Sequence, residues 1–234
     1  MPAQDRPKER PRRDADPPPE GLRERKKRET RQLISDIATR LFAERGFDEV
    51  TIDEVAAAAN VSKMTVFNYF ARKEDLLFDR GKDAQELARA ALLGRGSLAP
   101  VPALRRLVHD LVDEPHPLVK MNAGVAGFWR TVAGSSALRA HTRKLAAELE
   151  RDLGLMLAES VGAPAGDPVA SLIATLLVGT WRVAFREGLR RRRSSTAAVT
   201  REAFVELLDR GFDAATAAAA GSPYVGHRGN RREG

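Results

Sequence analysis

Leu33, Ile34, Ile37, Ala38, Leu41 and Phe42 recur at three- and four-residue spacing, so a helix running from about Leu22 carries one apolar stripe. The tetrapeptide ERGF closes it, with Gly46 suited to the left-handed position past a helix end. Two short helical segments follow. Thr51 and Glu54 have the spacing of a capping box, in which each side chain satisfies the other residue's free backbone N–H. Asn60 falls where that segment must turn, and asparagine tolerates the left-handed conformation. Ser62 can cap a second segment, Lys63 to Tyr69. On it Val66 and Phe70 lie one turn apart and point inward with Val61, while Lys63, Met64, Thr65, Phe67 and Asn68 project outward. A further helix is expected from near Lys73 to about Leu93.

The rest of the pattern is also helical. PVPALRRLVHDLVDE has Leu104, Leu107, Val108 and Leu111 on one face, and further segments run over Leu118 to Ala133, Leu138 to Val161, Val169 to about Arg190 and Thr196 to about Ala219. In the loop GAPAGDP, Asp167 can cap a helix whose first turn holds Pro168. The segment after it is apolar almost all round, which predicts burial on more than one side. With no strand alternation and no internal repeat, the fold class is all-α.

A chain of 234 residues can form one large domain or two small ones. Apolar runs such as SLIATLLVGTW break after about ten positions, short of the roughly twenty a bilayer needs, so no membrane partner is expected. The first twenty residues hold no apolar leader, and a cytoplasmic location is the expectation. The sequence has no cysteine, which excludes disulfides, thiolate metal sites and cysteine nucleophiles. Its four histidines share no metal-ligand spacing, and no glycine-rich phosphate loop or Ser/His/Asp grouping occurs. No catalytic residue, metal or cofactor is therefore expected.

Net charge is +7, which favours an acidic partner. Residues 1–31 carry eleven Lys/Arg against seven Asp/Glu, net +4, whereas residues 32–80 carry six against nine, net −3. The basic excess is thus local, in the N-terminal region, in GLRRRR at Gly188 to Arg193 and in HRGNRREG at the end. Residues 1–22, rich in Pro, Arg and Asp, are expected to be a disordered basic arm, and residues 220–234 a disordered tail. The run RERKKRETR, Arg23 to Arg31, leads into the first helix and can follow the minor groove or the phosphate backbone of DNA.

Two short capped helices about three residues apart, behind a longer helix, have the form of a helix-turn-helix. The stretch LISDIATRLFAERGFDEVTIDEVAAAANVSKMTVFNYFARKEDLL resembles the DNA-binding domain of TetR-family transcriptional regulators, over roughly Thr30 to Leu77. The helix end at Phe42 to Gly46, the start at Thr51, Val-Ser in the turn, the Phe-x-Tyr-Phe pattern and the Lys-Glu-x-Leu that follows carry the likeness. It implies a helix-turn-helix domain over 23–80 and a helical effector-binding and dimerisation domain over 81–219. It also implies a homodimer, most often a repressor, that sets two recognition helices into successive major grooves of a near-palindromic double-stranded operator and is released by a small-molecule effector.

On this reading Lys63, Met64, Thr65 and Asn68 read bases: lysine donates to guanine, asparagine pairs with adenine, and Met64 or Thr65 meets a thymine methyl. Thr51, Ser62, Phe67, Tyr69 and Lys73, with Arg25, Arg28 and Arg31, meet the DNA backbone. Phe67 departs from the family, where a tyrosine hydroxyl commonly reaches phosphate, and Arg72 stands where a Ser, Asn or Asp cap is common. Met121, Asn122, Phe128, Trp129, Trp181 and Phe185 are expected to line a pocket for a largely apolar effector. Leu172, Leu176 and Gly179, with Phe204 and Leu208, are expected to pair with their copies in a four-helix dimer seam. Two other classes stand beside this one: a helical enzyme using the C-terminal domain, for which no acid, base or nucleophile grouping is present, and a non-specific DNA binder driven by the basic arm.

Overall fold

The structure, a computed structural model, describes residues 21–78, 81–114, 116–119, 121–192 and 194–226. Its helices are α1 (Leu22–Arg45), α2 (Ile52–Ala58), α3 (Lys63–Tyr69), α4 (Gly81–Leu93), α5 (Pro100–Asp113), α6 (Ala123–Gly134), α7 (Ser136–Ser160), α8 (Pro168–Arg191) and α9 (Ala197–Ala218). Short 3-10 turns stand at Glu74–Leu76 and Pro117–Val119, and no strand occurs among the described residues. The local signals act as their chemistry requires. Thr51 and Glu54 form both halves of the capping box, and the side chains of Ser62, Asp167 and Thr196 each accept a backbone N–H at the start of α3, α8 and α9. Gly46 ends α1 at φ 91°, ψ 150°, an extended mirror-region conformation open essentially to glycine, rather than the left-handed helical one.

The sequence places one helix over Lys73 to Leu93; the structure divides it into the turn Glu74–Leu76 and α4. Leu76, Leu77 and Phe78 all pack into the N-terminal core, and the turn directs these three consecutive side chains inward before α4 begins. Asp75 secures the turn by accepting the N–H of Arg72 at 3.0 Å, which replaces the cap the sequence lacks at position 72. The expected helix Leu118 to Ala133 is divided likewise, with Asn122 capping α6 through Val125 N–H at 2.9 Å.

Around α1, Ile34, Ala38, Phe42, Phe47, Val50, Val55, Val66, Phe70 and Leu76 form one core, and Val132 of α6 and Leu138 of α7 belong to it. A second core joins α4, α5, α7, α8 and α9 through Leu92, Val101, Leu104, Leu157, Ile173, Val178 and Phe212. α8 lies between α7 and α9: the backbone of Ser171 sits against Gly154, and Thr180 against Gly211. By length and composition alone α8 could cross a bilayer, contrary to the short apolar runs read from the sequence, yet Ala170, Ile173, Ala174, Val178 and Ala184 are buried against protein.

The tail also differs. Residues 221–226, expected within a disordered segment, fold back onto the second core: Val101 N–H donates to the Tyr224 carbonyl at 3.0 Å and the Tyr224 hydroxyl to Asp167 at 3.1 Å. Tyr224 is only 2% exposed, so its ring supplies the burial that the polar composition of the tail conceals. The expected arm falls, apart from Gly21 and Leu22, outside the described residues, as do residues 227–234.

Candidate nucleic-acid interface

The turn between α2 and α3 is fixed by its backbone. Val61 N–H donates to Ala56 O at 3.0 Å and Asn60 N–H to Ala57 O at 3.1 Å, the paired bonds of a Schellman end, with Asn60 at φ 53°. Val61 then packs against the core, Ser62 caps α3 through Thr65 N–H at 3.0 Å, and Val66 and Phe70 anchor the helix from beneath. What remains outward is the expected row. Met64 is 68% and Phe67 43% exposed, Lys63 and Asn68 are exposed, and Thr65 and Tyr69 are half-buried at its margins. An amphipathic helix presenting an amine, an amide and two apolar tips has the donor, acceptor and methyl-contacting groups that a major-groove edge can distinguish.

The charges around this face are arranged by other side chains. Lys63 Nζ pairs with Asp53 on α2 at 2.8 Å, and both groups stay more than half exposed, so the pair is weak enough to open for another acceptor. Glu54 accepts from the Thr51 N–H and hydroxyl and from Arg45, and these bonds, led by the Thr51 backbone, lower its carboxyl from an ordinary value near 4.5 to about 2. A depressed carboxylate stabilises fully above its unfolded value and loses that contribution as pH falls through its folded one. The α2 cap should therefore hold down to about pH 4.5 and be released toward about pH 2, visible as accelerated exchange of the Glu54 and Val55 amides; Glu54→Gln should abolish that acid step.

Several expected backbone contacts are turned inward. Lys73 Nζ donates to the Phe47 carbonyl and lies 4.4 Å from the Phe47 ring centre, and burial lowers its pKa; it braces the end of α1 rather than presenting a free ammonium to phosphate. Both Thr51 donors go to Glu54. Arg31 Nη1 donates to the Tyr69 carbonyl at 2.6 Å. The run Arg23 to Arg31 does not lead into α1 but forms its exposed first turns, with Arg25 beside Glu29 at 3.6 Å. A helix about 10 Å wide cannot thread a minor groove about 6 Å wide, so the run cannot follow that groove as an extended arm.

Of the six residues expected around an effector pocket, five belong to hydrophobic clusters. Phe128 and Trp129 join the N-terminal core, whereas Met121, Trp181 and Phe185 join a third cluster with Val112, Ala184, Phe204 and Leu208. Trp129 and Phe185, 5.9 Å apart, connect the two groups, and Asn122 is occupied as the α6 cap. Two open depressions lie elsewhere, one of about 480 Å³ between α5 and α9 near His109, Arg201 and Asp209, the other of about 360 Å³ between α4 and α7 near Arg89, Leu93 and Met156. None of the six lines either one. Of the expected dimer residues, Phe204 and Leu208 are buried in that third cluster and face the chain's own interior. On α8, Leu172 and Val183 are open, at 46% and 48% exposed, whereas Leu176 and Gly179 between them are half-buried and Leu176 packs against the second core. The sequence reading omits Val183, although its spacing from Gly179 would have included it.

Residues 34–79 match the family model described as bacterial regulatory proteins, tetR family. Beyond that segment, TcmR, an HTH-type transcriptional regulator of Streptomyces glaucescens, is 27% identical over 194 residues, 81% of this chain and 85% of that protein. Residues 34–79 are thus a DNA-binding domain of the tetR family of bacterial regulatory proteins. Within that family AcrR of Shigella flexneri is 42% identical over 48 residues, a match spanning 20% of this chain and 22% of AcrR. The all-helical fold is shared with native NalD of Pseudomonas aeruginosa, described as the secondary repressor of the MexAB-OprM multidrug efflux pump, at TM-score 0.52 and 19% identity, covering 79% of this chain and 96% of that one. The chain is thus a DNA-binding transcriptional regulator and not an enzyme.

Proposed function

We propose that this protein is a cytoplasmic homodimeric repressor that binds a near-palindromic operator through α3 and leaves it when a small molecule binds the C-terminal helices. The observation that carries the DNA-reading part is the exposed row Lys63, Met64, Phe67 and Asn68 on a helix fixed at both ends by capping and core anchors. Lys63, Met64, Thr65 and Asn68 read base edges; Ser62, Phe67, Tyr69, Arg25 and Arg28 lie along the phosphates. A second copy covers Leu172 and Val183 of α8, with Leu176 and Gly179 between them, and pairing about a two-fold axis matches two half-sites one or more helical turns apart.

Release has a physical route. α6 and α7 contribute Val132 and Leu138 to the core under α1, and Ser135 Oγ donates to Asp48 at 3.0 Å, so a displacement of α6 must move the helix-turn-helix. Selection by the purified protein from a randomised duplex pool should return an inverted repeat. Lys63→Ala should then lose about 1–3 kcal/mol of discrimination at one position of each half-site. Equal affinity for the selected duplex and for random duplex would sink the repressor reading in favour of non-specific DNA binding.

A further inference from the structure

α3 has seven residues, too few to hold a helix in water unaided. Its start is secured by Ser62, but its end is abrupt: Phe70 is extended at φ −135°, ψ 113°, and the last carbonyls of a helix lack partners within it. The Tyr69 carbonyl finds its donor in Arg31, 38 positions earlier on α1, at 2.6 Å. The guanidinium carbon of Arg31 also lies 4.4 Å from the centre of the Phe70 ring, which is itself buried. A cation is thus held over an aromatic anchor at the negative end of the α3 dipole, with a donor aimed at the terminal carbonyl.

We propose that Arg31 is a positioning residue for DNA recognition, fixing the angle at which α3 stands on α1, and is not a phosphate ligand. The inference rests on the operator-binding reading and adds how the reading helix keeps its orientation. Arginine, rather than lysine, suits the role, because its broad guanidinium can lie over Phe70 while one of its fixed N–H groups donates to Tyr69.

The test compares Arg31→Ala and Arg31→Lys with the wild type in the full-length chain. Hydrogen exchange of the α3 amides in the DNA-free protein should quicken roughly tenfold in Arg31→Ala, with α7 to α9 unchanged. The ratio of affinities for the wild-type-selected duplex and for random duplex should fall roughly tenfold, the salt slope should not change, and Arg31→Lys should recover only part of the ratio. A salt slope smaller by about one with an unchanged ratio would make Arg31 a phosphate ligand and overturn the proposal. A lowered melting temperature with unchanged ratio would reduce it to a structural residue and overturn it equally. If the wild type selects no motif, the operator reading fails on its own account, and α3 exchange then decides: unaltered protection in Arg31→Ala rules the positioning role out.

Discussion

Tyr224→Ala is expected to destabilise the protein by about 3–5 kcal/mol, the cost of emptying a fully enclosed aromatic site. The ring is buried in the second core, its carbonyl receives Val101 N–H near the start of α5, and its hydroxyl donates to the carboxylate that caps α8. One residue therefore ties the end of the described chain to the beginnings of two helices. Urea unfolding followed by circular dichroism at fixed protein concentration measures the loss, and Tyr224→Phe, which keeps the ring, should cost only about 0.5–1.5 kcal/mol. Burial, then the bond to Asp167, pushes the phenol from 10.0 up to about 12. A raised pKa stabilises fully below the unfolded value and loses its effect as pH rises through the folded one, so the tyrosine-dependent part should vanish between about pH 10 and about pH 12. If Tyr224→Ala unfolded at the wild-type midpoint, the docking of the tail would be refuted.

Gly211→Ala should cost about 1–3 kcal/mol even though alanine favours a helix interior by about 1 kcal/mol. A methyl at that position of α9 would lie 2.3 Å from both Cγ2 and Oγ1 of Thr180 and 2.6 Å from its Cβ, so a branched side chain rooted on α8 would have to give way. Gly188→Ala is the matched control. Its methyl would meet the Met121 sulfur at 2.2 Å and Cε at 2.8 Å, the mobile end of an unbranched chain that can swing aside, and near-neutral stability is expected. Parallel thermal melts separate the two, and equal melting temperatures would mean that α8 and α9 do not approach so closely.

Local chemistry was the legible part of this protein. The capping box at Thr51, the turn at Asn60, the caps at Ser62 and Asp167 and the inward pair Val66 and Phe70 each depend on residues within a few positions of one another. Contacts over long sequence distances were not. Nothing near Arg31 announces a carbonyl 38 residues away, and nothing near Lys73 announces that its ammonium will lie on Phe47. The aromatic residues of α6 and α8 show the same gap, since helical spacing says that a side chain faces inward but not whether protein or ligand meets it there. Phe204 and Leu208 read as seam residues because an apolar stripe looks alike whether its cover is Trp181 of the same chain or another copy.

The boundary expected near residue 80 is not a seam in the packing. Ile34 and Leu76 share their core with Val132 and Leu138, and Phe78 meets Phe128 edge-on at 5.4 Å. Cutting after Phe78 would strip the reading head of side chains that complete its interior. Grafting this head onto a foreign sensor would therefore require carrying α6 and the first turn of α7 with it, or redesigning the face they cover. Recombination at the apparent domain border would yield chimaeras whose heads melt before they meet DNA.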